Sequence, residues 1–151
     1  MFACMTPGTS SEFEHFLEAQ NGVYDQVVEE LTRGQKRSHW MWFIFPQVRG
    51  LGRSAMAQRF AIHCLDQARR YAHHILLGQR LRQCTRLVLD VQGREISDIL
   101  GCPDDLKFRS SMTLFEIAAC NDNYSSRSAT IKNHQWHRLS CSLFHCFISC
   151  L

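Results

Sequence analysis

The chain has 151 residues, of which 45% are hydrophobic, and a formal net charge of +3 at pH 7. That size suits one domain with a single core, no apolar run approaches the ~20 residues that a membrane helix needs, and Met1 to Pro7 lacks the charged and apolar regions of a secretion signal. The expectation is a cytoplasmic protein with no membrane partner, whose eight cysteines are reduced thiols rather than a disulfide framework.

Residues 1–11 read as a flexible N-terminus. Ser11-Glu12-Phe13-Glu14 then has the form of a capping box, and Phe13, Phe16 and Leu17 share one face, which predicts a helix from about Glu12 to Gln20 stopped by Asn21-Gly22. Tyr24, Val27, Val28 and Leu31 repeat the helical spacing up to Gly34. Next comes the most unusual stretch, His39-Trp40-Met41-Trp42-Phe43-Ile44-Phe45, closed by Pro46. Large side chains without a polar gap fit neither an amphipathic helix nor a half-buried strand, so the segment is buried on nearly every side. Periodicity does not separate a strand from a very short helix here.

Gly50-Leu51-Gly52-Arg53-Ser54 marks a loop that feeds a further helix, with Ser54 as its N-cap and Met56, Ala57, Phe60 and Ala61 as its apolar stripe. Asp66 is expected to cap a helix through Tyr71. Leu77, Leu81, Cys84 and Val88 define a longer one, from about Leu77 to Asp90, and Ile96, Ile99 and Leu100 a short piece before Gly101 and Pro103. Asp104-Asp105 reads as a turn or cap pair. Met112, Phe115, Ala118 and Ala119 predict a last helix capped by Ser110 or Ser111. Residues 121–151 change character, polar and then apolar with interspersed Ser and Cys, and are expected to be an atypical, poorly ordered tail. No convincing strand alternation occurs, so the predicted class is all-α, in a single domain over residues 12–120.

Three long blocks resemble a known family: Lys36-Arg37-Ser38-His39-Trp40-Met41-Trp42-Phe43-Ile44-Phe45-Pro46-Gln47; Gly50-Leu51-Gly52-Arg53-Ser54; and Pro103-Asp104-Asp105-Leu106-Lys107-Phe108-Arg109-Ser110-Ser111-Met112-Thr113-Leu114-Phe115. With Tyr24-Asp25-Gln26-Val27 they are similar to the family catalogued as domain of unknown function 1810, over roughly residues 12 to 120. The resemblance implies a compact multihelical protein in which Trp40 to Phe45 is a short buried central helix. It implies no reaction. The sequence departs from the family pattern at Cys64 and Gln67, where members usually carry serine and glutamate, and at His74, where they commonly carry proline, so a less rigid turn is expected there. It departs again after residue 120, as a frame change, an alternative exon end or a truncated gene would produce.

Charge is distributed in blocks. Glu12, Glu14, Glu18, Asp25, Glu29 and Glu30 precede the first base, Arg33; from there to residue 89 the single acid is Asp66; and acids prevail again from Asp90 to Glu116. A basic middle suggests an anionic partner, or pairing with the chain's own acidic flanks. The candidate ligand-binding residues are Lys36, Arg37, Ser38, His39, Trp40, Trp42, Gln47, Lys107, Arg109, Ser110 and Ser111, which combine cations, hydroxyls and flat rings suited to a nucleotide-like or phosphorylated ligand. The same residues also read as core, helix caps and local ion pairs.

His39 or Asp104 would supply the acid or base of a hydrolase acting on such a ligand, while His39 also reads as a structural pin. Nucleic-acid binding by the arginine-rich helices, or a purely structural role, are further alternatives. Metal and cofactor are expected to be absent. There is no C-x-x-C or H-E-x-x-H, the tail's Cys141, Cys146, Cys150, His137 and His145 miss paired zinc spacing, and the glycine loop lacks a P-loop lysine. The sequence decides neither whether the protein is an enzyme nor its oligomeric state.

Overall fold

In the computed structural model, residues 12–120 are described; the expectations for residues 1–11 and 121–151, including the Ser11 cap, lie outside them. The elements are α1 (Glu14–Asn21), α2 (Tyr24–Thr32), α3 (Met41–Ile44), α4 (Ala55–Arg59), α5 (Leu65–His73), α6 (Ile75–Asp90), α7 (Ile96–Leu100) and α8 (Asp104–Cys120). Among the described residues there is no strand, only an isolated parallel bridge between Val48 and Ile62. None of these helices is long and apolar enough to cross a membrane.

The apolar run forms α3, a single turn packed against α1, α6 and α8. Trp40, Met41, Ile44 and Phe45 are almost wholly removed from solvent, each contributing roughly 1.5–3 kcal/mol through burial. One turn cannot satisfy its own ends, so the surroundings do. The Phe43 carbonyl accepts from Gln20 Nε2 at 2.7 Å and from the Tyr71 hydroxyl at 3.2 Å, which places polar groups from α1 and α5 inside the core. Around them Phe13, Phe16, Phe60 and Tyr71 meet edge to face or tilted, with ring centroids 5.1–6.2 Å apart.

The longer helices enclose this centre: α5 packs on α6 and α8, α2 on α6, and α7 on α8. Gly34 ends α2 in the left-handed region, φ 64°, with its amide donating to Leu31 O and that of Gln35 to Glu30 O, a Schellman closure. Lys36 N then donates to Ile99 O at 2.7 Å, tying the approach to the central run to α7. Ser54 caps α4 as expected, accepting from Ala57 N at 3.1 Å.

Three helix starts differ from the sequence expectation. α5 begins at Leu65, so Asp66 is not its cap but pairs with Arg69 at 2.9 Å. Cys64 makes no side-chain cap bond, while Gln67 Oε1 reaches back past it and accepts from His63 N at 2.7 Å. α6 starts at Ile75, where His74 Nδ1 accepts from the amides of Leu76 and Leu77, both at 3.3 Å. The imidazole thus caps the first turn of α6, and one residue both ends α5 and opens α6. α8 starts at Asp104, not at Ser110 or Ser111. Ser110 instead donates to Leu106 O at 3.0 Å, the back-bonding that lets a serine sit inside a helix, and Asp104 and Asp105 occupy the first turn, where negative charge suits the helix dipole.

Candidate functional site

The loop after Pro46, the start of α4 and the first turns of α8 surround an open recess of about 510 Å³. Of the residues expected at a site, Trp42, Gln47, Lys107 and Ser110 line it, together with Leu51, Arg53, Ser54 and Pro103. Trp42 presents part of its ring because α3 is only one turn long: Trp40 and Phe43 face the core while Trp42 falls between them. Lys107 Nζ lies 4.8 Å from the Trp42 ring centroid, a cation over an indole face.

Lys107 is positioned by Asp104, whose Oδ1 it meets at 2.7 Å while Lys36 holds Oδ2 at 2.6 Å. Burial pushes the Asp104 carboxyl up, but the hydrogen bonds from Lys107 and Lys36 outweigh it and hold it below the usual aspartate range. A carboxylate kept ionised between two ammonium groups is a poor acid and a weak base. Asp104 is therefore a positioning group for the cations. The carboxyl of Asp105, one residue on, has Oδ1 buried without a partner among the described residues.

The remaining expected residues are elsewhere. Lys36 is buried in its pair with Asp104 and against the Trp40 ring, 5.2 Å from the centroid. Trp40 is sealed in the core. Arg37 is exposed and bonds Gln35 Oε1 at 2.9 Å. Arg109 is exposed on α8 outside the recess. Ser111 is fully buried, its hydroxyl unpartnered among the described residues, because it falls on the core face of α8 between Phe108 and Phe115.

His39 is exposed and makes no hydrogen bond among the described residues, so it is not the pin of this segment. Glu30 is. Its carboxylate accepts from Arg37 N (2.9 Å), Ser38 N (3.1 Å), Ser38 Oγ (2.6 Å), Trp40 Nε1 (2.8 Å) and Gln26 Nε2 (3.1 Å). Burial alone would raise this carboxyl, but the donors from Arg37, Ser38 and Trp40 bring it down to about 2. Nothing in the local sequence marks Glu30 apart from Glu29; its place on the same helical face as Val27 and Leu31 was the available signal.

Many cations of the basic middle are engaged within the fold. Arg33 pairs with Glu29, Arg69 with Asp66 and Arg70 with Glu12, Arg80 bonds Gln20 and Asn21 and lies over the Tyr24 ring, and Arg82 bonds Ala72 O. Arg53 differs: its side chain has no acidic partner among the described residues, and it lines the recess. The sequence presented it within Gly50-Leu51-Gly52-Arg53-Ser54, a motif read as a connection. Cys84 is a core thiol pushed up to about 12, chiefly by burial, and Cys64 and Cys102 are also free. Among the described residues no group of His, Cys, Asp and Glu is arranged to hold a metal ion.

A search of curated proteins gives no match. Among solved structures, the crystal structure of the conserved hypothetical protein Rv1873 from Mycobacterium tuberculosis is similar, with a TM-score of 0.70 and 57% sequence identity, over 71% of this chain and 76% of that one. The sequence model of the family described as "Protein of unknown function (DUF1810)" matches residues 10–135, so it takes in every helix described above, and the chain belongs to that family.

Proposed function

We propose that the recess between the Pro46 loop, α4 and α8 binds a small anionic ligand carrying a flat ring, nucleotide-like or phosphorylated. The observation that carries this reading is the Lys107 ammonium over the half-buried Trp42 ring in the wall of an open hollow. Arg53 adds a second cation to the same wall, and Gln47, Ser54 and Ser110 bring polar side chains to it. An indole offers stacking area and fixed cations offer charge-assisted hydrogen bonds, the combination that recognises a ring bearing phosphate or carboxylate. A hydrolytic role for His39 or Asp104 draws no support from their positions, since the first lies outside the recess and the second is held between lysines.

The test is a thermal-shift screen of nucleosides, nucleotides and phosphosugars against the full chain. A ligand present at about 100 times its Kd stabilises by about 2.7 kcal/mol, a rise of several degrees in Tm. The expected result is such a rise, abolished by Lys107→Ala or Trp42→Ala and untouched by Arg109→Ala. If no compound shifts Tm, the proposal fails.

A further inference from the structure

A second hollow, about 460 Å³, adjoins the first and shares Gly52, Arg53 and Ala57 with it. Of the shared residues neither Gly52 nor Ala57 projects beyond a β-carbon, and the backbone at Gly52 comes so close to α4 that a Cβ there would stand 2.4 Å from that of Ala57. The two hollows differ in chemistry. The first is rimmed by Trp42, Pro103 and the exposed Leu51 and Leu106, whereas the second is lined by Arg49, Arg53, His63 and Gln58, with no carboxylate among its lining residues.

Backbone bonds hold this second hollow in shape. Arg49 N donates to Ile62 O at 2.8 Å and Ile62 N to Gln47 O at 2.9 Å, so Arg49 and His63 stand on adjoining extended stretches of chain. Gln58 Nε2 donates to Arg53 O at 3.1 Å and fastens the loop to α4. Neither Arg49 nor Arg53 has an ion-pair partner among the described residues, in contrast to Arg33, Arg69 and Arg70. Two unpaired guanidinium groups beside an imidazole form a site for an anion with several acceptor oxygens, because a guanidinium binds phosphate oxygens through two parallel bonds.

We infer that the ligand is a ring joined to a chain of at least two phosphates, the ring against Trp42 and the chain running over Gly52 and Ala57 onto Arg49, Arg53 and His63. This inference rests on the reading of the first recess given above and names the class of ligand that would fill both. A nucleoside diphosphate meets the requirement. A nucleoside monophosphate fills the first recess, with Lys107 and Arg53 in its wall, and does not reach Arg49 or His63.

The experiment is titration calorimetry of the full chain with adenosine and uridine, their monophosphates and their diphosphates, and with inorganic pyrophosphate. The diphosphate of at least one nucleoside is expected to bind about tenfold or more tightly than its monophosphate, as one or more charge-assisted bonds would give. Arg49→Ala and His63→Ala, both at exposed positions, are expected to remove that advantage while leaving monophosphate affinity within about twofold. Equal affinity for mono- and diphosphate, or an Arg49→Ala variant that weakens both alike, overturns the inference and leaves the first recess as a monophosphate site. Binding of pyrophosphate as tight as that of the diphosphate removes the ring from the account and overturns it too. Absence of binding by every compound, with Lys107→Ala and Trp42→Ala equally without effect, overturns this inference and the underlying reading together.

Discussion

Glu30 shows how one side chain orders a segment that has little secondary structure of its own. The chain from Gln35 to Trp40 is irregular, and its amides and indole N–H converge on one carboxylate instead of on a ladder. A buried carboxylate with this many donors costs less than its desolvation suggests, because each donor would otherwise be left unpaired. The sign of the pH effect follows from the lowered value. The benefit is complete above the ordinary 4.5 and is lost as pH falls toward about 2, and it amounts to about 3 kcal/mol. Glu30→Gln is therefore expected to lose about 3 kcal/mol at pH 7 and far less near pH 2.5. Urea denaturation at the two pH values checks this, and an equal loss at both would show that the charge has no part in it. His39 stands out in the sequence as the one histidine of its block; Glu30 does not, because glutamate on a helix is ordinary until its partners, seven to ten residues on, are folded back over it.

At the scale of elements, the pair α5–α6 is set by close approach. A β-carbon at Gly78 would lie 1.9 Å from the Ala72 carbonyl oxygen, an overlap with backbone that no rotamer relieves. Gly78→Ala gains about 1 kcal/mol of helix propensity, yet is expected to destabilise the protein by about 1–3 kcal/mol through forced separation of the helices. A lower midpoint in chemical denaturation is the expected reading, and a higher one would show that α5 can shift without cost.

Helix existence was legible from the sequence wherever an apolar stripe recurred, as in α2 and α6. Helix starts were less so. Ser110 and Ser111 have the chemistry of caps but sit in the middle of α8, since α8 extends through them to a start set by Pro103 and the two aspartates, and the Ser110 hydroxyl is satisfied by the carbonyl one turn back instead. His74 was legible only as a missing proline; that its ring nitrogen would meet two amides depended on how α5 delivers the chain. For the candidate site, Trp42, Gln47, Lys107 and Ser110 stand out in the sequence because they fall in the two blocks that combine cations, hydroxyls and flat rings, whereas Arg53 falls in the glycine block that reads as a connection. Arg53 could not be singled out, because nothing in a row of arginines tells which lack acidic partners once helices are packed.

Among the described residues several acids are held in paired or bonded positions. The hydrogen bond from Arg70 holds Glu12 low, Glu30 is held at about 2, and Asp104 is held low between its lysines, while Glu116 is pushed up by burial and acts in the opposite sense. Carboxyls lowered in the folded state contribute stability above their unfolded values, 4.5 for Glu12 and Glu30 and 3.8 for Asp104, and lose it as pH falls through the folded ones. Through these carboxyls stability is expected to decline steadily below about pH 5, and Lys36→Ala is expected to lower stability at neutral pH and make that decline shallower, because Asp104 loses a partner and its carboxyl rises toward its unfolded value. Acid unfolding followed by circular dichroism tests this, and a profile unchanged down to pH 2 contradicts it. The alternating blocks of charge in the sequence anticipated such pairing in outline, as with Glu12 and Arg70, which stand 58 positions apart.

Gln20 makes the interior selective. Its amide gives hydrogens to the Phe43 carbonyl and the Tyr71 hydroxyl and takes one from Arg80, so four separate helices must arrive in one mutual arrangement before that amide is content. Oily side chains alone would tolerate sliding or rotation of α3 among its neighbours, since grease is indifferent to direction. A misthreaded collapse would strand this amide in a dry cavity, at a penalty comparable to a fair fraction of a domain's margin against unfolding, and that side chain thereby acts as a combination lock on the topology.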